Sequence, residues 1–163
     1  MRGFFPLPLA FCLFLGSAAP CMSAEYLSTN ERQKARAYSP AVITEGGRIV
    51  WLAGQTGIRD EQGKDLSGSF EAQARQIFRS MDRTLQQTGG SLANLVTMTV
   101  FINDVRLGDR FVEIRKEMFP NGNYPGSALI TVSAFAQPGM MIEIQGVAVM
   151  GDRCGNENPC LPR

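Results

Sequence analysis

The chain has 163 residues, 44% of them apolar, with 16 Lys+Arg against 15 Asp+Glu and no histidine. That length suits one ordinary domain, the apolar share excludes a disordered chain, and a formal charge of +1 is far from the strong basicity of nucleic-acid binders. Without histidine there is no Ser-His-Asp or Cys-His nucleophile system, no His metal site and no imidazole pH switch.

Residues 1–24 read as an export signal. Arg2 precedes an apolar run from Phe4 to Leu15, and small residues follow up to Ser23 and Ala24. The run holds Pro6 and Pro8 and is shorter than the roughly 20 residues that span a bilayer. The expectation is cleavage after Ala24, no stable membrane insertion afterwards, and a periplasmic or secreted product. Removing 24 of the 163 residues leaves 139, with 15 basic and 15 acidic side chains because Arg2 goes too. Cys12 and Cys21 also leave. Cys154 and Cys160 remain, separated by GNENP, and in an exported chain they read as a local disulfide. So short a ring contributes roughly 2 kcal/mol in the loop-entropy picture.

Residues 25–36 are polar and read as a flexible lead-in to a domain at 37–150, with a tail at 151–163. Ala41–Ile43 is a short β-type segment, Glu45-Gly46-Gly47 a turn and Arg48–Gly54 a buried-type strand, which together predict a hairpin. Gln55–Gly68 is rich in Gly and Asp and reads as loop. Ser69 is placed to cap a helix in which Phe70, Ala74, Ile77, Phe78, Met81 and Leu85 form one stripe. Gly89-Gly90 ends it. Val96–Asn103 alternates as a strand does. Leu107, Phe111, Ile114 and Met118 give a second, shorter amphipathic helix, stopped by Pro120 and Asn121-Gly122. Strands at Ser127–Phe135 and Met141–Met150 flank a turn at Gln137-Pro138-Gly139.

The order is ββαβαββ, an α+β sheet with both helices on one face. Several strands are apolar on both sides, so the other face predicts self-association.

Three polar positions could carry chemistry. Glu143 lies in MMIEIQGVAVM, a strand otherwise almost free of charge. A carboxylate there is either desolvated, and useful for handling a substrate proton, or solvated at a subunit rim. Tyr38, in AYSP, is either a phenol supplied to a site or a packed loop aromatic. Ser127 follows Pro125-Gly126 and opens a strand, and no histidine exists to make it a nucleophile. Gly54-Gln55-Thr56-Gly57 fits no phosphate-binding motif. The arginines are scattered and form no patch.

AYSPAV, WLAGQTG, EAQARQ, VTMTVFIND and MIEIQGVAV, in that order and spacing, resemble the Rid family (reactive intermediate deaminases, also called YjgF-like) over about Ala37–Met150. The resemblance implies a chorismate-mutase-like fold and a homotrimer whose sheets form a central barrel, with small-molecule clefts between subunits. It implies no cofactor and no metal. In deaminating members an arginine holds the substrate carboxylate while a glutamate orients the water that attacks the imine carbon. The glutamate maps onto Glu143 and the cleft tyrosine onto Tyr38. At the arginine position the sequence reads Pro125-Gly126-Ser127-Ala128, so Gly126 and Ser127 stand where the anion clamp would be. The second acid of the family pattern is Gln145, and a frequent helix asparagine falls at Val112. A serine at 127 donates one hydrogen bond and brings no charge, which favours a smaller, neutral or differently oriented ligand. Two functions stay open: a hydrolase of imines, enamines or related C–N compounds, and a non-catalytic trimeric binder of small metabolites. Ribonuclease activity is disfavoured by the neutral charge and the lack of a basic aromatic groove.

Overall fold

The structure is a computed structural model that describes residues 24–27, 29–152 and 154. The expected signal, Ala24 apart, and the expected disulfide partner Cys160 lie outside the described residues. Cys154 itself is buried and takes part in a disulfide.

Four strands form the main sheet: β3 (Arg48–Thr56), β4 (Leu95–Ile102), β5 (Gly126–Thr131) and β6 (Ile142–Met150). Their spatial order is β3-β6-β4-β5, with β4 and β5 parallel and the other neighbours antiparallel. Two helices, α2 (Phe70–Gln86) and α3 (Gly108–Met118), supply the connections that a parallel pair and a long crossover require. All six residues of the predicted α2 stripe are buried. They pack onto Leu52, Met98, Val100, Ile142, Ile144 and Ala148 from the sheet. Each large apolar side chain so buried contributes about 1.5–3 kcal/mol over leaving it in water. The second helix packs beside the first through Phe111, which stacks on Phe78 at 6.1 Å, while Phe119 meets Phe78 edge-on at 6.0 Å. This is an α+β fold with both helices on one face.

Alternation decides what remains outside. Along β6, Ile142, Ile144, Gly146 and Ala148 point to the helices, and Glu143, Gln145 and Val147 point away. The far face carries Trp51, 76% exposed, and Ile49, 54% exposed. Both are large apolar residues on a sheet face that no element among the described residues covers.

Several sequence expectations are corrected. The hairpin between 41–43 and 48–54 does not form. The first of these segments is β2 (Val42–Ile43), which pairs with β1 (Glu25–Tyr26) in a separate two-stranded sheet. β3 instead takes β6 as its partner, from Arg48↔Met150 to Thr56↔Glu143, and the turn before it is tethered by the Glu45 amide, which donates to the Asp152 carboxylate. The lead-in is not loose. It contains β1 and a capped helix, α1 (Glu31–Ala35). Ser69 does sit at the start of α2, but its hydroxyl makes no capping bond. Strand β5 stops at Thr131 rather than 135. Val132 donates to the carbonyl of Ile102, where β4 ends, and beyond that point there is no neighbour to pair with.

Candidate functional site

An open cleft of ≈ 520 Å³ runs along the start of β4 and β5 under the segment that follows α1, and Tyr38, Pro40, Val42, Thr97, Thr99, Gly126 and Ser127 all line it. Three of the four residues singled out from the sequence therefore meet here. Helix α1 aims Tyr38. Asn30 and Gln33 cap it reciprocally, the Asn30 side chain accepting from the Gln33 amide at 2.9 Å and the Gln33 side chain from the Asn30 amide at 2.8 Å. At its far end the Tyr38 amide donates to Gln33 O and the Ala37 amide to Lys34 O, the paired bonds of a Schellman stop. That stop needs a left-handed residue, and it is Ala37, with φ 53° and no exposed surface. An alanine held in this region costs roughly 1 kcal/mol or more, so the geometry is imposed by its surroundings. The Ser39 amide then donates to Pro125 O, which stitches the tyrosine segment to the strand that opens with Gly126 and Ser127.

Ser127 is in register with Met98, whose side chain is buried under the helices. Its hydroxyl oxygen accepts a hydrogen bond from Arg115 Nη1 at 2.5 Å. Sequence reasoning missed this arginine. It is 3% exposed, its Nη2 donates to the carbonyl of Arg36, and its Nε has no partner. The guanidinium carbon lies 5.2 Å from the centre of the Phe111 ring, a cation–π contact. Among the described residues no carboxylate pairs with it. Burial, joined by the neighbouring Arg36 charge, pulls its pKa down to about 10, while the phenols of Tyr124 and Tyr38 act the other way. It is still a cation at neutral pH. The signal that could have found it is positional, since Arg115 lies four residues after Phe111 and one after Ile114, on the inward stripe of α3.

Glu143 stands apart from this group. It is in register with Phe101 and, through it, with Ile130, whereas Ser127 is level with Met98. Three residues and two strand spacings separate them, roughly 10 Å along the sheet and about 10 Å across it. They also point to opposite faces. Glu143 is half-buried and makes no hydrogen bond or ion pair among the described residues. Its carboxylate lies over Gly54, where β3 slips register against β6, and a Cβ on Gly54 would fall 2.0 Å from Glu143 Oε1. Gln145 lines a smaller cleft of ≈ 180 Å³ on the open face with Trp51, Thr97, Thr99 and Val147. Val112 is buried in the core side of α3.

The family model described as Endoribonuclease L-PSP, the family also called YjgF or Rid, matches residues 29–150. The chain belongs to that family. A RutC family protein of Aquifex aeolicus is 34% identical over 113 residues, which is 69% of this chain and 87% of that protein. The chloroplastic Reactive Intermediate Deaminase A of Arabidopsis thaliana is 29% identical over 138 residues, covering 83% of this chain and 71% of its own length. Among solved structures, the Rid-family protein YyfB of Yersinia pestis superposes with a TM-score of 0.69 at 21% identity, covering 79% of this chain and 100% of that one, and so attests the Rid-like fold. The Rid assignment rests on the matched core and extends to α1, which the family match includes. Among the described residues no helix is long and apolar enough to cross a membrane, and no three His, Cys, Asp or Glu side chains gather as a metal site.

Proposed function

We propose that this Rid-family chain hydrolyses the C=N bond of a small imine or enamine in a cleft completed by a neighbouring copy of itself. One copy supplies Tyr38, Gly126 and Ser127, and the neighbour supplies Glu143. The observation that carries the reading is the state of Glu143: a half-buried carboxylate on an apolar strand, unpaired among the described residues, beside an uncovered apolar sheet face. A carboxylate so placed can accept a proton from water as the water oxygen attacks the imine carbon. The imine nitrogen takes that proton, which gives the neutral carbinolamine; a second proton then passes from the new hydroxyl to nitrogen by way of the same carboxylate, the C–N bond breaks, and ammonia and a carbonyl compound leave. An enamine reaches the same point after protonation on carbon. The homotrimer, export after the cut at Ala24 and a Cys154–Cys160 bridge belong to the same reading. They are supported respectively by exposed Trp51 and Ile49, by the order of residues 1–24, and by the disulfide at Cys154.

The test is consumption of 2-iminopropanoate generated in the cuvette by an amino-acid oxidase. The chain should accelerate loss of the imine, and Glu143→Gln should lower that acceleration by about a hundredfold or more, the ordinary worth of a positioned base. Sedimentation should show the variant assembled as the parent is. Full activity in the variant would mean another group handles the water. No acceleration, with saturable binding of a small ligand, would make the chain a binding protein.

A further inference from the structure

We infer that Arg115 makes the cleft selective for an anionic ligand group, acting through the hydroxyl of Ser127. The inference rests on the cleft described above and names the class of group it takes. The missing charge at position 127 favours a neutral ligand only if nothing stands behind the serine, and Arg115 stands behind it.

A hydroxyl has one proton and two lone pairs. At 2.5 Å from Nη1, the Ser127 oxygen is spending a lone pair on the guanidinium, so its own proton is free to point elsewhere. Ser127 lines the cleft, and the donor it offers there is polarised by a full positive charge on its other side. Arg115 is too deeply buried to touch a ligand, so it is a positioning residue and not a contact.

Energetics favour the same conclusion. A buried guanidinium without a carboxylate is an expensive arrangement, and here it also lies near Arg36, a second cation. Arg36 is partly relieved by an ion pair with Asp109, which is itself highly exposed. The net field at Ser127 is positive. An anion in the cleft offsets the desolvation of Arg115, and a neutral ligand does not. A carboxylate fits best, because it accepts the Ser127 proton with one oxygen and leaves the other for a second donor, and Tyr38 lines the same cleft.

Calorimetry on the full chain decides it, with two probes of nearly the same shape, pyruvate and its uncharged amide, pyruvamide. Pyruvate should bind about tenfold or more tightly than the amide, the size of effect expected of a desolvated charge-assisted contact. Ser127→Ala and Arg115→Met should each bring that ratio to about one, and Arg115→Lys should recover little of it, because an ammonium cannot make both guanidinium hydrogen bonds and the Phe111 contact at once. A merely structural arginine would change thermal stability and leave the ratio alone. If Arg115→Met does not fold, Ser127→Ala carries the decision, since that side chain is only partly buried. Equal affinities in the parent chain, no measurable binding of pyruvate, or a preference that survives Ser127→Ala would overturn the inference. Binding needs no turnover. Preference for pyruvate with no imine hydrolysis would remove the hydrolase reading and keep this one, and hydrolysis without the preference would do the reverse.

Discussion

Tyr26 ties the first strand to the main sheet, and it is where pH should be felt. Its hydroxyl donates to the carbonyl of Leu95 at 3.4 Å, reaching from β1 to the start of β4. Burial first, and then the nearby Asp152 carboxylate, push its pKa up to about 12 from an ordinary 10.0. The sign follows from proton binding. Between those values the folded chain keeps the phenolic proton while the unfolded chain loses it, so unfolding releases a proton and stability falls as pH rises. The stabilisation is whole below pH 10, is lost as pH climbs through about 12, and amounts to on the order of 2 kcal/mol. Tyr26→Phe should therefore show a shallower loss of stability than the parent chain between about pH 9 and 11.5, read by urea unfolding. Arg115 titrates in the same range with the opposite slope, and the comparison of the two chains cancels it. Equal slopes would remove Tyr26 from the account.

At the scale of elements, Gln73 locks α2 to the two loops that cross its first turn. It is fully buried, and its amide nitrogen donates to Leu66 O at 2.9 Å and to Gly139 O at 2.8 Å. Its side-chain oxygen accepts from the Met141 amide at 2.9 Å. One buried side chain thus bonds three backbone groups from two loops, just before β6 begins. Gln73→Ala should cost about 1–3 kcal/mol, because the Met141 amide loses its acceptor, whereas Leu66 O and Gly139 O keep the Ser69 and Gly68 amides as donors. The loss should appear in thermal unfolding, with hydrogen exchange rising at Met141. A change under about 0.5 kcal/mol would mean that water replaces the amide. Periodicity could not reveal this lock. Gln73 stands one residue from Ala74 and four before Ile77, which reads as a polar residue flanking an apolar stripe, and only the loops folded over the helix bury it. Helix α1 is the opposite case. Its signature, Asn30 followed by Gln33, is in the sequence, but a five-residue helix carries too few apolar positions for a period to show.

At the scale of the whole molecule, Ser127 and Glu143 cannot meet within a single chain. Ser127 faces the helices from an edge strand, and Glu143 faces outward two strands away. Trp51 lies on that outward face in register with Val147, four residues on from Glu143. An apolar ring exposed by 76% on a sheet face fits a contact between copies. Trp51→Glu should dissociate the assembly, measured by sedimentation, because it would bury a charge at the contact. Imine hydrolysis should fall with it, because the proposed site needs a second copy. A dissociated variant with full activity would place the whole site within one chain.

The sequence by itself determined the fold class, the α2 stripe and the inward and outward sides of β6, and it singled out Tyr38, Ser127 and Glu143 as candidates. Those are matters of local period and of residue type, which a linear chain displays directly. Only the tertiary structure decided which strands pair, that Tyr38 is aimed by a helix, and that a buried cation stands behind Ser127. Such facts depend on residues far apart in the chain. The Arg115 guanidinium reaches both the Arg36 carbonyl, 79 residues back, and the Ser127 hydroxyl, 12 residues on. Packing sets the Arg115 guanidinium against the Ser127 hydroxyl, and residue type along the chain does not display that contact.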